Sequence, residues 1–217
     1  MMFNIFKYEF LMVLRSGSHL IIAFTFFFFF SVLFALSTLG TETLLNLIAP
    51  SGIWVSLLIS VLLTLNKIIH QEYENGSTDF YLLSDFPLEI ILFFKTIVHW
   101  ITVSLPMLLI MPFIMIAFQI DLEKLFTLLT IVLIGSPALS FVGIMISCIT
   151  LSNNSSFLIT TITIPFYFPT LLLGIYCTNN TDLDNMSLAY IMLSLNTLFT
   201  ITISPFISAY AVKLHYS

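Results

Sequence analysis

The sequence predicts an all-α integral membrane protein with six transmembrane helices. An N-terminal interfacial helix and a short helix between the second and third spans complete the expected architecture. Composition is the first observation behind this class. Of 217 residues, 59% are hydrophobic and 8% charged, with a mean hydropathy of +1.10, whereas soluble domains carry about a quarter charged residues. The second observation is a set of charge-free runs, Ser16–Thr41, Thr43–Asn66, Thr96–Ile120, Leu125–Thr181 and Asn185–Val212. About 20 apolar residues cross a bilayer as a helix. The fourth run is long enough for two crossings, and Ser152-Asn153-Asn154-Ser155-Ser156 divides it where a turn is needed. The spans are expected near 19–39, 51–67, 96–118, 125–150, 157–177 and 188–212, in a single transmembrane domain over 1–217.

The N-terminus comes first. Lys7 and Arg15 followed by "HLIIAFTFFFFFSVLFAL" have the look of a signal peptide. The apolar run is too long, however, and no small-x-small site closes it, so a retained first span is expected. Upstream, Phe3, Phe6, Phe10 and Val13 recur at helical spacing while Asn4, Lys7 and Arg15 share another face, a pattern suited to a helix lying in the membrane interface. Placing this end in the cytoplasm puts Lys7, Arg15, Lys67, Lys95 and Lys213 inside and only Lys124 outside, as the positive-inside rule requires. Both termini are then cytoplasmic. The net charge of −5 comes with no basic patch, so nucleic acid is not an expected partner.

The loop after the second span is the most polar stretch of the chain. "HQEYENGSTDFYLLSDFPLE", residues 70–89, holds five of the eleven acidic residues, Glu72, Glu74, Asp79, Asp85 and Glu89. Ser77 after Gly76 reads as a helix N-cap, with Asp79 in the first turn where the dipole favours an anion. Phe80 and Leu83 then share one face. The helix must end before Pro87, which suits the first turn of the next helix. A short helix with exposed apolar side chains rimmed by acids, within a cytoplasmic loop spanning 68–95, reads as an interaction surface. A hairpin packed on its own bundle is the rival reading.

Several chemistries are excluded. Ion-coupled transporters keep charged relays within their spans, and the span interiors as placed here carry none. None of the seven glycines is followed by lysine, so no phosphate-binding loop exists for nucleotide hydrolysis. An intramembrane enzyme would need acid, base, nucleophile or metal ligands clustered within the bundle. No catalytic or metal site is therefore expected, and energy for transport would have to come from a partner. Cys148 and Cys177 fall near opposite ends of their spans, too far apart for a disulfide, and two isolated thiols make no zinc site.

"QEYENGSTDFYLLSDFPLEIILFFK" resembles the loop between spans two and three of type-2 ABC exporter permeases. The matching positions are Glu72 and Glu74, Gly76, Ser77, Asp79, Leu82 and Leu83, Pro87 and Lys95. That resemblance implies a coupling helix seated in a groove of a separate ATPase subunit. Along nearly the whole chain, "MMFNIFKYEF", "APSGIWVSLLIS", "KTIVHW", "GSPALSFVG", "TIPFYFPTLLLG" and "SPFISAYAVKL" resemble the CcmB family. These are the haem exporter protein B permeases of system I cytochrome c maturation. Thr78 stands where that family usually has leucine, Asp79 where it has glutamate, and Ser84-Asp85 is more polar than usual. The resemblance implies a homodimeric permease in the bacterial inner membrane, with the mitochondrial inner membrane an open alternative. It implies a CcmA-like ATPase, CcmC- and CcmD-like haem-handling proteins and a CcmE-like haem chaperone as partners. Haem is the implied cargo, with no resident cofactor. A permease of the same fold exporting lipid, glycan or drug is the alternative.

The residues bear on the cargo. His19, His70, His99 and His215 all fall at or near the cytoplasmic side, so none is placed to ligate haem at the outer face. His99-Trp100 is the best inner-side candidate for a haem or substrate path, although a histidine beside an interfacial tryptophan is more often an anchor. Met107, Met111 and Met115 form a stripe that soft packing explains more simply than ligation. Pro165 and Pro169 are read as kinks shaping a dimer cavity on the haem or substrate path, among the intramembrane prolines 106, 112, 137, 165, 169 and 205.

Overall fold

Six helices long and apolar enough to cross a membrane make up most of the computed structural model: Leu20–Ser37, Glu42–Leu65, Leu88–Ala117, Leu122–Ile149, Ile159–Asn179 and Leu188–His215. The structure describes residues 7, 9–11, 13, 18–38, 41–84, 86–151, 156–180 and 183–216. Among the described residues there is no strand, and the N-terminal ones at 7, 9–11 and 13 are helical. The expected helix in the loop is present at Ser77–Leu82. Phe3, Phe6, Asn4 and Arg15 lie outside the described residues.

The second and fourth spans are the most enclosed and form the centre. The sixth packs chiefly on the fourth and the first chiefly on the second. Small residues explain the fourth span's position. Ser136, Ser140, Gly143 and Ser147 recur along one face of Leu125–Ile149, and all are buried, which lets neighbouring backbones approach as helices in lipid require. Trp54, fully buried on the second span, fits between Gly135 of the fourth helix and Gly174 of the fifth, its Nε1 donating to Thr178 Oγ1 at 3.0 Å.

Two boundaries differ from the sequence expectation. The second helix runs from Glu42 to Glu74, starting well before residue 51 and passing through Pro50. Its 33 residues reach about 50 Å at 1.5 Å per residue, more than the ~30 Å hydrocarbon layer. One end therefore stands out of the membrane and carries the loop helix. The third span starts at Leu88, not near 96, because the buried Leu88, Ile91 and Leu92 already belong to its packed face. Glu89 and Lys95 thus lie within the helix, and the reading of charge-free span interiors is corrected.

The third span is also not one regular helix. Leu88–His99 is α, Trp100–Ser104 a π-turn, Leu105–Met107 α, Leu108–Ile110 a 3₁₀ turn and Met111–Ala117 α again. Pro106 and Pro112 follow the two irregular turns, and each removes an N–H from the ladder. Within the π-turn, Thr102 Oγ1 donates to the Val98 carbonyl at 2.7 Å and the His99 carbonyl at 3.2 Å. The span closes at Gln119, at φ 55, where Ile120 N donates to Met115 O at 2.9 Å.

Candidate functional site

The loop helix begins with a reversal. Gly76 sits at φ 70, ψ 9, a left-handed conformation that costs glycine nothing, and turns the chain straight from the end of the second helix into Ser77–Leu82. Gly76, not Ser77, therefore occupies the N-cap position, and no side chain caps the helix. Ser77 is its first residue. Pro87 likewise stands one residue ahead of the third span, its carbonyl accepting from Ile90 N at 3.0 Å.

Leu83 closes the loop helix and is 83% exposed. Asp79 is exposed and Leu82 half-buried. Phe80 belongs to the same helix, but its side chain, with those of Glu72, Glu74, Ser77 and Asp85, lies outside the described residues.

The opposite side of this helix is held by three other segments. Lys95 of the third span reaches Glu9 of the N-terminal helix, Nζ to Oε2 at 3.1 Å, with 3% and 2% of the side chains exposed. Tyr81 of the loop helix donates its hydroxyl to Glu9 Oε1 at 2.8 Å and accepts from Lys95 Nζ at 3.4 Å. The ammonium also lies 5.1 Å from the Tyr81 ring centroid, within range of the ring's attraction for a cation. A buried carboxylate and a buried ammonium are tolerable only as hydrogen-bonded partners, and here a tyrosine hydroxyl bonds to both. The third segment is the C-terminal end of the chain. Tyr216 donates to Thr78 Oγ1 at 3.0 Å and meets Tyr73 edge to face at 5.8 Å. Burial holds the Tyr216 phenol above its ordinary value. Thr78 is buried as a result. Lys213 adds an ion pair to Glu89 at 2.9 Å, partly exposed and worth about 0–1 kcal/mol.

His99 lies deeper, 1% exposed. Its Nε2 is 3.0 Å from Thr64 Oγ1 of the second span and its Nδ1 3.1 Å from Ser140 Oγ of the fourth. Trp100 Nε1 donates to Ser136 Oγ at 2.9 Å. Both ring nitrogens are thus occupied by hydroxyls, and a metal ion bound at either would have to displace one. Pro165 and Pro169 are exposed on the outside of the fifth helix. Tyr167 between them points inward and donates to Leu139 O at 2.8 Å. The structure brings His99 and Trp100 together with the fourth span's serines and leaves the two prolines on the exposed surface of the chain. Met107, Met111 and Met115 are buried in the packed interior, and Cys148 and Cys177 are buried and form no disulfide. His215 approaches Ile149 O at 3.3 Å; the side chains of His19 and His70 lie outside the described residues. At the opposite end of the bundle, Glu42, Asn46, Gln119, Asp121, Lys124 and Asn179 surround a cavity of about 290 Å³.

Sequence reasoning passed over Glu9, Tyr81, Ser136, Ser140 and Tyr216. Two signals were present. Glu9 falls on the helical face shared by Phe6, Phe10 and Val13, an acid on an apolar stripe. Ser136 and Ser140 stand four residues apart within an otherwise apolar run.

Fold and site together define a polytopic α-helical membrane protein with a braced, outward-facing helix at one end. The chain belongs to the CcmB protein family, whose model matches residues 1–215. Heme exporter protein B of Paracoccus denitrificans is 29% identical over 204 residues, covering 93% of each chain. The protein of the same name from Pseudomonas aeruginosa is 28% identical over 191 residues, 86% of each chain. That of Bradyrhizobium diazoefficiens is 26% identical over 203 residues, 92% of this chain and 91% of its own.

Proposed function

We propose that this chain is the non-catalytic permease subunit of an ATP-driven haem exporter serving cytochrome c maturation. In this reading Ser77–Leu82 is the coupling helix, and the end of the bundle that carries it faces the cytoplasm of a bacterium, with both termini. A CcmA-like ATPase docks there. CcmC- and CcmD-like proteins and a CcmE-like chaperone handle haem on the far side, and a second copy completes the permease. Family membership supports the class.

The observation that carries the coupling role is Leu83, 83% exposed at the tip of a helix whose other side is anchored to three segments. An apolar side chain held out on a rigid support is how a helix presents an anchor to a groove. Asp79 is exposed on the same helix, and it and the acids Glu72 and Glu74 at the end of the second helix set orientation and on-rate more than affinity. Gly76 supplies the turn that aims the helix. The engaged ring nitrogens of His99 favour a subunit that moves over one that holds haem iron on this histidine.

The test is Phe80→Ala with Leu83→Ala. Burying each side chain contributes about 1.5–3 kcal/mol, so losing both weakens docking at least about tenfold. The double variant should insert normally yet fail to co-purify the ATPase from detergent extracts. The control is Ser84→Ala, since Thr78 is buried and bonded to Tyr216. Full ATPase recovery and full cytochrome c assembly from the double variant would overturn the coupling role.

A further inference from the structure

We infer that Glu9, Tyr81 and Lys95 form a joint that makes the loop helix, the N-terminal helix and the lower third span move as one body. The inference rests on the coupling role proposed above and names the residues that would carry its motion inward. The N-terminal helix, remote in sequence, meets the loop helix and the third span at one buried point, Lys95 Nζ to Glu9 Oε2 at 3.1 Å and Tyr81 Oη to Glu9 Oε1 at 2.8 Å. The pair is almost wholly removed from solvent, where charges attract strongly and separating them is heavily penalised. A load on Leu83 therefore cannot shift the loop helix without dragging Lys95 with it.

Lys95 sits on the regular part of the third span, Leu88–His99. Directly beyond come the π-turn Trp100–Ser104 and the 3₁₀ turn Leu108–Ile110, stretches of weaker hydrogen-bond geometry that commonly mark hinges. The lower section can tilt as a unit while the upper section stays packed. At the boundary lies His99, bonded to Thr64 and Ser140, so a tilt there would shear contacts to the second and fourth spans. Glu9, Tyr81 and Lys95 are on this account positioning residues. They meet neither cargo nor nucleotide.

The experiment uses the intact complex of this chain with its ATPase in lipid nanodiscs. Tyr81→Phe removes one hydroxyl and keeps the ring, so the fold is preserved. Glu9→Gln with Lys95→Met removes both charges together, so that neither is left buried alone. Each is scored for ATPase co-purification, ATP hydrolysis and cytochrome c formed in cells. Spin labels at Ser84→Cys and Phe113→Cys report the ATP-dependent distance between loop helix and upper third span. The expected result is normal docking and hydrolysis, with cytochrome c yield down at least threefold for Tyr81→Phe and tenfold for the double variant. The ATP-dependent distance change should shrink in both. Unchanged yield and an unchanged distance response would overturn the joint. So would loss of docking in Tyr81→Phe, because the residue would then belong to the docking surface. Failure of the coupling role itself is read separately, from the Phe80→Ala with Leu83→Ala variant, which changes none of the three joint residues.

Discussion

Gly174→Ala should destabilise the bundle, and the sign of the effect is what makes it informative. Replacing glycine by alanine inside a helix ordinarily stabilises it by about 1 kcal/mol. At Gly174, however, the new methyl would overlap Cε2 and Cζ2 of Trp54 and lie 2.7 Å from its Cδ2, against an ordinary carbon contact of about 3.5–4.0 Å. The indole would have to retreat by about 1 Å on that scale. It has nowhere to go. The fourth helix closes the other side at Gly135, where an added Cβ would meet Cη2 at 2.5 Å. Trp54 Nε1 is tied to Thr178, whose hydroxyl in turn donates to the Gly174 carbonyl at 2.8 Å. Overpacking of this kind costs about 1–3 kcal/mol, and loss of the interhelical hydrogen bond about 0.6 more. After the propensity gain, the net loss is about 0.6–2.6 kcal/mol, a roughly 3- to 80-fold shift in the folded ratio. The assay is equilibrium unfolding in lipid–detergent micelles titrated with SDS. Trp54→Phe provides the cycle, because a shorter ring opens the slot and Gly174→Ala should then become neutral or stabilising. A wild-type background stabilised by Gly174→Ala would refute the packing argument.

Two further outcomes are expected. Because burial holds the Tyr216 phenol above its ordinary value near 10, the docked state retains its proton where the released tail would lose it. The contribution is full below about pH 10 and declines as pH rises through the folded value. Thermal midpoints measured from pH 9 to 11.5 should fall less in Tyr216→Phe than in the wild type, and equal slopes would argue against docking through this hydroxyl. For topology, a reporter active only in the cytoplasm should be on when fused after Asn75 or Ser217 and off after Asp184, with the reverse pattern inverting the orientation.

How much of this was legible beforehand depends on the range over which each feature is encoded. Hydrophobic runs are local, so the class and the six spans follow from them directly, and the loop helix follows from Gly76, Asp79 and Pro87 standing close together. Span ends are less local. Leu88, Ile91 and Leu92 become part of the third span by being packed against other helices, which no charge-free run records. The second helix continues through Pro50, a residue that read locally as a boundary.

The brace is the extreme case. Glu9 and Lys95 are 86 residues apart, and no periodicity links them. Yet the sequence contains half of the argument. An acid on the apolar face of an interfacial helix is costly unless a cation or strong donor meets it. Lys7 lies on another face of the same helix and Lys124 at the opposite membrane side, which leaves Arg15, Lys67, Lys95 and Lys213. Choosing among those four requires knowing that the third span begins at Leu88, because only then is Lys95 two turns inside a packed helix. That boundary also places the loop helix beside it and Tyr81 within reach of both charges. One misjudged helix start therefore hid an ion pair, its tyrosine and the link from the loop to the third span.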